Sequence, residues 1–181
     1  KSKKYSLEQY SEEINKWRQM GTKVSDATPP EVHCRLLRVA CGELKVSLAT
    51  KAEAIARGVA GLVVEELQNC ADKMGGTYEA IFNRLQSNSG SAEAVIEMNA
   101  YLQSCEIEME KLKNGLESDL EARLALLALV GQELPDECFT AVYTTLGWPG
   151  RVYKVADDAT KKQEEDKNHF MEELRNDKER F

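Results

Sequence analysis

SAEAVIEMNAYLQSCEIEMEKLKNGLESDLEARLALLALV, residues 91–130, is the stretch that decides the fold. Its apolar residues Val95, Met98, Leu102, Cys105, Met109, Leu112 and Leu116 step by three and four in strict alternation. That spacing places them on one side of an α-helix and forms a heptad seam over three repeats. The next seam position is Asp119, so the register fails there. Leu120, Leu124 and Leu127 continue with steps of four, four and three. This pattern is a four-residue stutter, which locally unwinds a supercoil. At 1.5 Å per residue, about 40 residues of helix reach about 60 Å. Ser91 stands at the cap position, and Ser87-Asn88-Ser89-Gly90 before it is loop chemistry.

A second long pattern precedes that loop. From Glu31, Val32, Leu36, Val39 and Ala40 lead into Leu44, Leu48, Ala52, Ile55, Val59, Leu62, Val63, Leu67, Cys70 and Met74. The steps predict one helix with one apolar stripe. Gly75-Gly76 predicts a kink or a short loop before Tyr78, Ile81, Phe82 and Leu85 resume the face. The short connection makes the two long helices an antiparallel pair.

The ends of the chain read differently. Ser6 and Gln9 form an S-x-x-Q capping box that opens a first helix through Leu7, Tyr10, Ile14 and Trp17, with Gly21 as its stop. Thr28-Pro29-Pro30 breaks the pattern. Leu134-Pro135-Asp136 ends the pair, and a short helix follows with Cys138, Phe139, Val142, Tyr143 and Leu146. Gly147-Trp148-Pro149-Gly150 then reads as a turn, Trp148 as the anchor that packs it onto the bundle, and Arg151–Val155 as extended. From Asp157 a new helix begins. Residues 157–181 hold nine acidic and six basic side chains, and Phe170, Met171, Leu174 and Phe181 leave only a thin apolar stripe. A helix of that kind is rich in solvent contact and needs a partner along one face.

The expected architecture is therefore all-α, an elongated helical bundle built on two long antiparallel helices. Residues 1–30 supply a helix and a Pro-Pro linker, 31–134 the long pair, 135–156 the short helix and Trp-Pro turn, and 157–181 a charged helix leaving toward the next domain.

Composition excludes several function classes. The apolar fraction of 42% supports a core, so disorder is not expected. No run approaches the roughly 18 apolar residues of a membrane span. A net charge of -7 argues against a basic nucleic-acid face. With no Met at Lys1 and a charged helical pattern running to Phe181, both ends read as cuts through a longer protein. Cys34, Cys41, Cys70, Cys105 and Cys138 are odd in number and widely spaced, which fits buried reduced thiols in an intracellular setting rather than a disulfide framework. Cys34 and Cys41, seven apart, read as small apolar residues on one helical face.

Chemistry is scarce. There is no GxxxxGK[ST] phosphate loop, no HExxH and no EF-hand loop. A diiron bundle needs Glu-x-x-His, but Pro30 and Asp166 stand three residues before His33 and His169. Glu65-Glu66 and Glu172-Glu173 read as solvated helix faces. No catalytic, cofactor-binding or metal-binding residue is expected here, and this segment is not expected to be an enzyme. Trp148, Pro149 and Arg151 are the structural or contact candidates.

One family has a similar pattern. The order Trp148-Pro149-Gly150-Arg151-Val152, then Asp157, then Phe170-Met171-Glu172-Glu173-Leu174-Arg175 and Lys178-Glu179-Arg180-Phe181, resembles the tail of axonemal dynein heavy chains just before the linker domain. Leu62-Val63-Val64-Glu65-Glu66-Leu67 and the helix after Ser91 extend the resemblance over roughly residues 33–181. It implies a microtubule motor of the cilium or flagellum whose ATP and Mg²⁺ are bound in a AAA+ ring outside these residues. It also implies partners: other dynein heavy chains, intermediate or light chains and, through the assembled complex, the axonemal doublet microtubule, with no nucleic acid and no membrane. The location implied is the cytoplasm, cytoskeleton and ciliary axoneme. The rival reading is a cytoskeletal adaptor bundle, spectrin-like or talin-like. The Trp-Pro turn between helices separates the two, and no 106-residue spectrin period is present, since Trp148 lies 131 positions after Trp17.

Overall fold

The computed structural model describes residues 5–87 and 92–180. The element order is α1 (Leu7–Ala27), β1 (Glu31–Cys34), β2 (Leu37–Ala40), α2 (Gly42–Leu85), α3 (Ala92–Gly115), a π-helical segment (Leu116–Glu121), α4 (Ala122–Leu129) and α5 (Asp136–Arg180). Among the described residues the fold is all-α apart from one two-stranded hairpin. It folds into two compact units. The first holds Lys1–Gln68 with Glu121–Cys138, and the second Asn69–Leu120 with Phe139–Phe181. The loop residues 88–90, the Ser91 cap and Phe181 lie outside the described residues, as does the Leu174 side chain.

The start of α1 follows the capping expectation. The Gln9 amide donates to Ser6 Oγ at 3.2 Å, and the Ser6 amide donates to Gln9 Oε1 at 2.9 Å. Both satisfy groups that a helix terminus otherwise leaves open. The helix does not stop at Gly21. It runs to Ala27, and Thr28 turns extended ahead of the two prolines. Gly21 is buried because it meets α2, where a Cβ at that position would stand 3.5 Å from the Ala52 Cβ.

Residues 31–40 overturn the helical expectation. Glu31 pairs with Ala40, Val32 with Val39, His33 with Arg38 and Cys34 with Leu37 in an antiparallel hairpin. Short apolar runs fit periods of 2 and 3.6 alike. Here the β-branched Val32 and Val39 face each other across the ladder, and the Arg38 guanidinium pairs with Glu31. Arg35 takes a φ of 54° in the two-residue turn, as tight hairpins require. Cys34 is thus exposed at the end of β1 and Cys41 half-buried just after β2, not on one helical face. Cys105 and Cys138 are buried, Cys70 is half-buried, and none of the five forms a disulfide among the described residues.

In the second unit α2 and α3 run antiparallel. The Arg84 guanidinium lies 3.9 Å from the Tyr101 ring centroid, and Met74 Cε lies 3.1 Å from where a Cβ on Gly115 would sit. Gly75-Gly76 does not interrupt α2, which is a single helix of 44 residues. The stutter takes a concrete form. Where Asp119 would have entered the seam, the chain adopts a π-helical turn, which adds one residue to its circuit. Asp119 is passed over, and Leu116 and Leu120 are both buried.

The Trp-Pro turn is likewise overturned. Residues 135–156 and 157–181 are not separate pieces, because α5 continues from Asp136 to Arg180 with Pro149 inside it. A helix-interior proline removes one hydrogen bond and crowds the carbonyl four residues back, here that of Thr145. Packing outweighs this. Val142, Thr145, Val152, Ala159 and Gln163 are buried at helical spacing on both sides of the proline. A break at residues 147–150 would put half of that stripe out of phase. Pro149→Ala is expected to raise stability by about 1–3 kcal/mol, read as a higher urea midpoint by circular dichroism; a lower midpoint would place a break in the helix there.

Candidate functional site

Trp148, Pro149 and Arg151 lie together on α5 in the second unit. The Trp148 indole meets the Phe82 ring of α2 edge-on, with centroids 5.5 Å apart and an interplanar angle of 63°. Edge contacts of this kind add about 0.5–1.5 kcal/mol beyond area burial. Trp148 is half-buried, so it anchors helix to helix rather than a turn to a bundle. Pro149 is half-buried beside it. Arg151 is exposed, its guanidinium 5.6 Å from the Trp148 ring centroid, within cation–π range.

The approach of α5 to α2 depends on Gly75. A Cβ there would come within 3.1 Å of Thr145 Oγ1 and 3.9 Å of Trp148 Nε1. Thr145 donates its buried hydroxyl to the Ala71 carbonyl at 3.0 Å, which locks the two helices in register. Beside this contact the small residues Ala71, Gly76 and Ala141 leave a groove of about 350 Å³, lined also by Asp72, Glu79 and Trp148.

The groove brings together two carboxylates, a Thr144 hydroxyl and an indole. Among its lining residues no nucleophile stands with a base beside it. His33 lies exposed on β1. His169 lies exposed on α5, with Nδ1 at 3.8 Å from Glu173 Oε1. Burial, reinforced by Glu108, pushes the Cys105 thiol up from its ordinary range, which suppresses the thiolate a nucleophile needs. Among the described residues no group of three or more His, Cys, Asp or Glu is placed to hold a metal ion.

Two polar features escaped the sequence reading. In the first unit Tyr10 donates to Glu66 Oε1 at 2.9 Å, and Arg123 Nη2 stands 3.5 Å from Glu66 Oε2. One carboxylate thus joins α1, α2 and α4. Tyr10 and Glu66 are 56 positions apart, and no local pattern links residues at that separation. In the second unit Tyr78 is 1% exposed, and its hydroxyl has no hydrogen-bond partner among the described residues. Burial, aided by Tyr153, pushes its pKa up to about 12.

No protein-family model matches this chain, and no curated protein matches its sequence.

Trp148 and Tyr78 both bear on stability. Trp148→Ala is expected to cost about 2 kcal/mol, below the range for fully buried aromatics, because Trp148 is only half-buried; an unchanged denaturation midpoint would show that the Phe82 contact contributes nothing. Tyr78 has a folded-state pKa above its unfolded value near 10, so its stability contribution is complete below pH 10 and falls as pH rises toward 12. Tyr78→Phe should leave neutral stability unchanged or raise it by up to about 1 kcal/mol, since it removes an unsatisfied hydroxyl. The same variant should flatten the loss of stability between pH 10 and 12, measured by denaturant titration at each pH.

Proposed function

We propose that this chain is a non-catalytic helical segment of an axonemal dynein heavy-chain tail, serving assembly, spacing and subunit contact in a microtubule-based motor of the cilium or flagellum. The reading is carried by the residue order Trp148-Pro149-Gly150-Arg151-Val152, then Asp157 and the charged run from Phe170. Because α5 is continuous, residue order supports the reading and a turn does not. Long antiparallel helices and a contact groove without a nucleophile–base pair are compatible with a spacing and docking role. Its partners would be other heavy chains, intermediate or light chains and, through the complex, the doublet microtubule. ATP and Mg²⁺ would belong to the motor ring. No helix among the described residues is long and apolar enough to cross a membrane.

The continuity of α5 favours a second reading, a cytoskeletal adaptor bundle of the spectrin-like or talin-like kind, because the turn that set the two apart is absent. An antibody raised against residues 92–130 separates them on immunoblots of isolated axonemes and of the remaining cytoskeleton. The expected result is an axonemal polypeptide many times heavier than 20.3 kDa. A signal confined to the non-ciliary cytoskeleton would overturn the dynein reading in favour of the adaptor.

A further inference from the structure

The first unit holds a second apolar stripe that its own core does not use. On α2 the buried positions are the small Ala52, Ala56 and Ala60, then Val63 and Leu67. The large side chains face outward: Leu44 is 59% exposed, Leu48 43%, Ile55 41% and Leu62 48%. A helix that hides alanines and shows leucines inverts the usual order of burial. With Lys51, Gly58 and Glu65, the outward residues run 44-48-51-55-58-62-65, in steps of four and three throughout. That is a complete heptad seam, the spacing that another helix reads by knobs-into-holes packing. The space above Gly58 is open, with nothing within 4 Å of an added Cβ.

We propose that this outer seam of α2 docks antiparallel on the same seam of a second copy of the chain. Charge and size both select the arrangement. In a parallel pair Lys51 would face Lys51, and Gly58 would leave a hole against Gly58. In the antiparallel register that layers residue 55 on residue 58, Ile55 fills the space above Gly58 of the other copy. The Lys51 stem then covers Leu62 and carries its ammonium one turn on to Glu65, while Leu48 covers the Glu65 stem. Every contact occurs twice about a two-fold axis, as an isologous interface demands. The surface is independent of the dynein reading, since it needs only α2 of the first unit.

Analytical ultracentrifugation of the full 181-residue chain tests it. The expected result is a dimer that forms with rising concentration and is lost in Ile55→Asp, whose exposed site leaves the circular dichroism spectrum unchanged. Lys51→Glu and Glu65→Lys should each weaken dimerisation by roughly five- to tenfold, because each sets like charges together twice. Mixing the two variants should restore it as a heterodimer. A monomer at all concentrations, a dimer indifferent to Ile55→Asp, or a mixture no tighter than its components would each overturn the proposal.

Discussion

Ala52, Ala56 and Ala60 form the contact surface of α2 in the first unit, and their small size sets how near its neighbours lie. Gly21 of α1 meets Ala49 and Ala52 directly. Alanine methyls bury little area, so apolar burial alone holds such a contact weakly. Polar links do the rest. Tyr10 and Arg123 converge on Glu66, and the Arg18 guanidinium donates to the Val130 carbonyl at 2.7 Å while lying 3.6 Å from Glu53. Breaking one partner of the half-buried Glu66 set leaves the others desolvated, which is why such groups occur together. The same constraint pushes Leu44, Leu48, Ile55 and Leu62 outward and creates the unpartnered seam.

The second unit solves the packing problem with larger groups. Tyr78, Ile81 and Leu85 of α2 are buried, Phe82 meets Trp148, and glycine stands where a neighbouring side chain presses in, at Gly75 beneath Thr145 and at Gly115 beside Met74. The π-helical segment keeps α3 and its continuation useful to the core. It absorbs a mismatch in the heptad repeat that would otherwise turn Asp119 inward. Stripe continuity also carries α5 through Pro149, since the burial of Val142, Thr145 and Val152 on one face outweighs one lost backbone hydrogen bond.

These features describe a molecule that offers surfaces. The groove beside Trp148 is lined by small and acidic residues, the outer seam of α2 shows Leu44, Leu48, Ile55 and Leu62, and the hairpin shows Val32, Leu37 and Val39 to solvent. The Cys105 thiol and the Tyr78 hydroxyl are held in their neutral forms by burial.

Much of the helical content was legible in residue order. The capping box at Ser6, the Pro29-Pro30 break, the seam from Val95 to Leu116 and the stutter after it are local patterns, and local hydrogen bonding answers to local spacing. What tertiary structure decided was everything in which two patterns competed or distant residues met. Residues 31–40 satisfied both periods, and cross-strand pairing chose the strand. Gly75-Gly76 and Pro149 signal breaks by propensity, yet each lies on a helix whose packed face runs straight through it. Of the candidate residues, Trp148 was read as the anchor of a turn and instead lies within α5; its partner Phe82 was not legible, because nothing in the spacing of a chain encodes which face of another helix lies opposite. For the same reason the stripe of α2 could be read but not its inside from its outside. The tertiary packing, with α1 meeting Ala49 and Ala52 at Gly21, put the alanines in the core and left the leucines facing water.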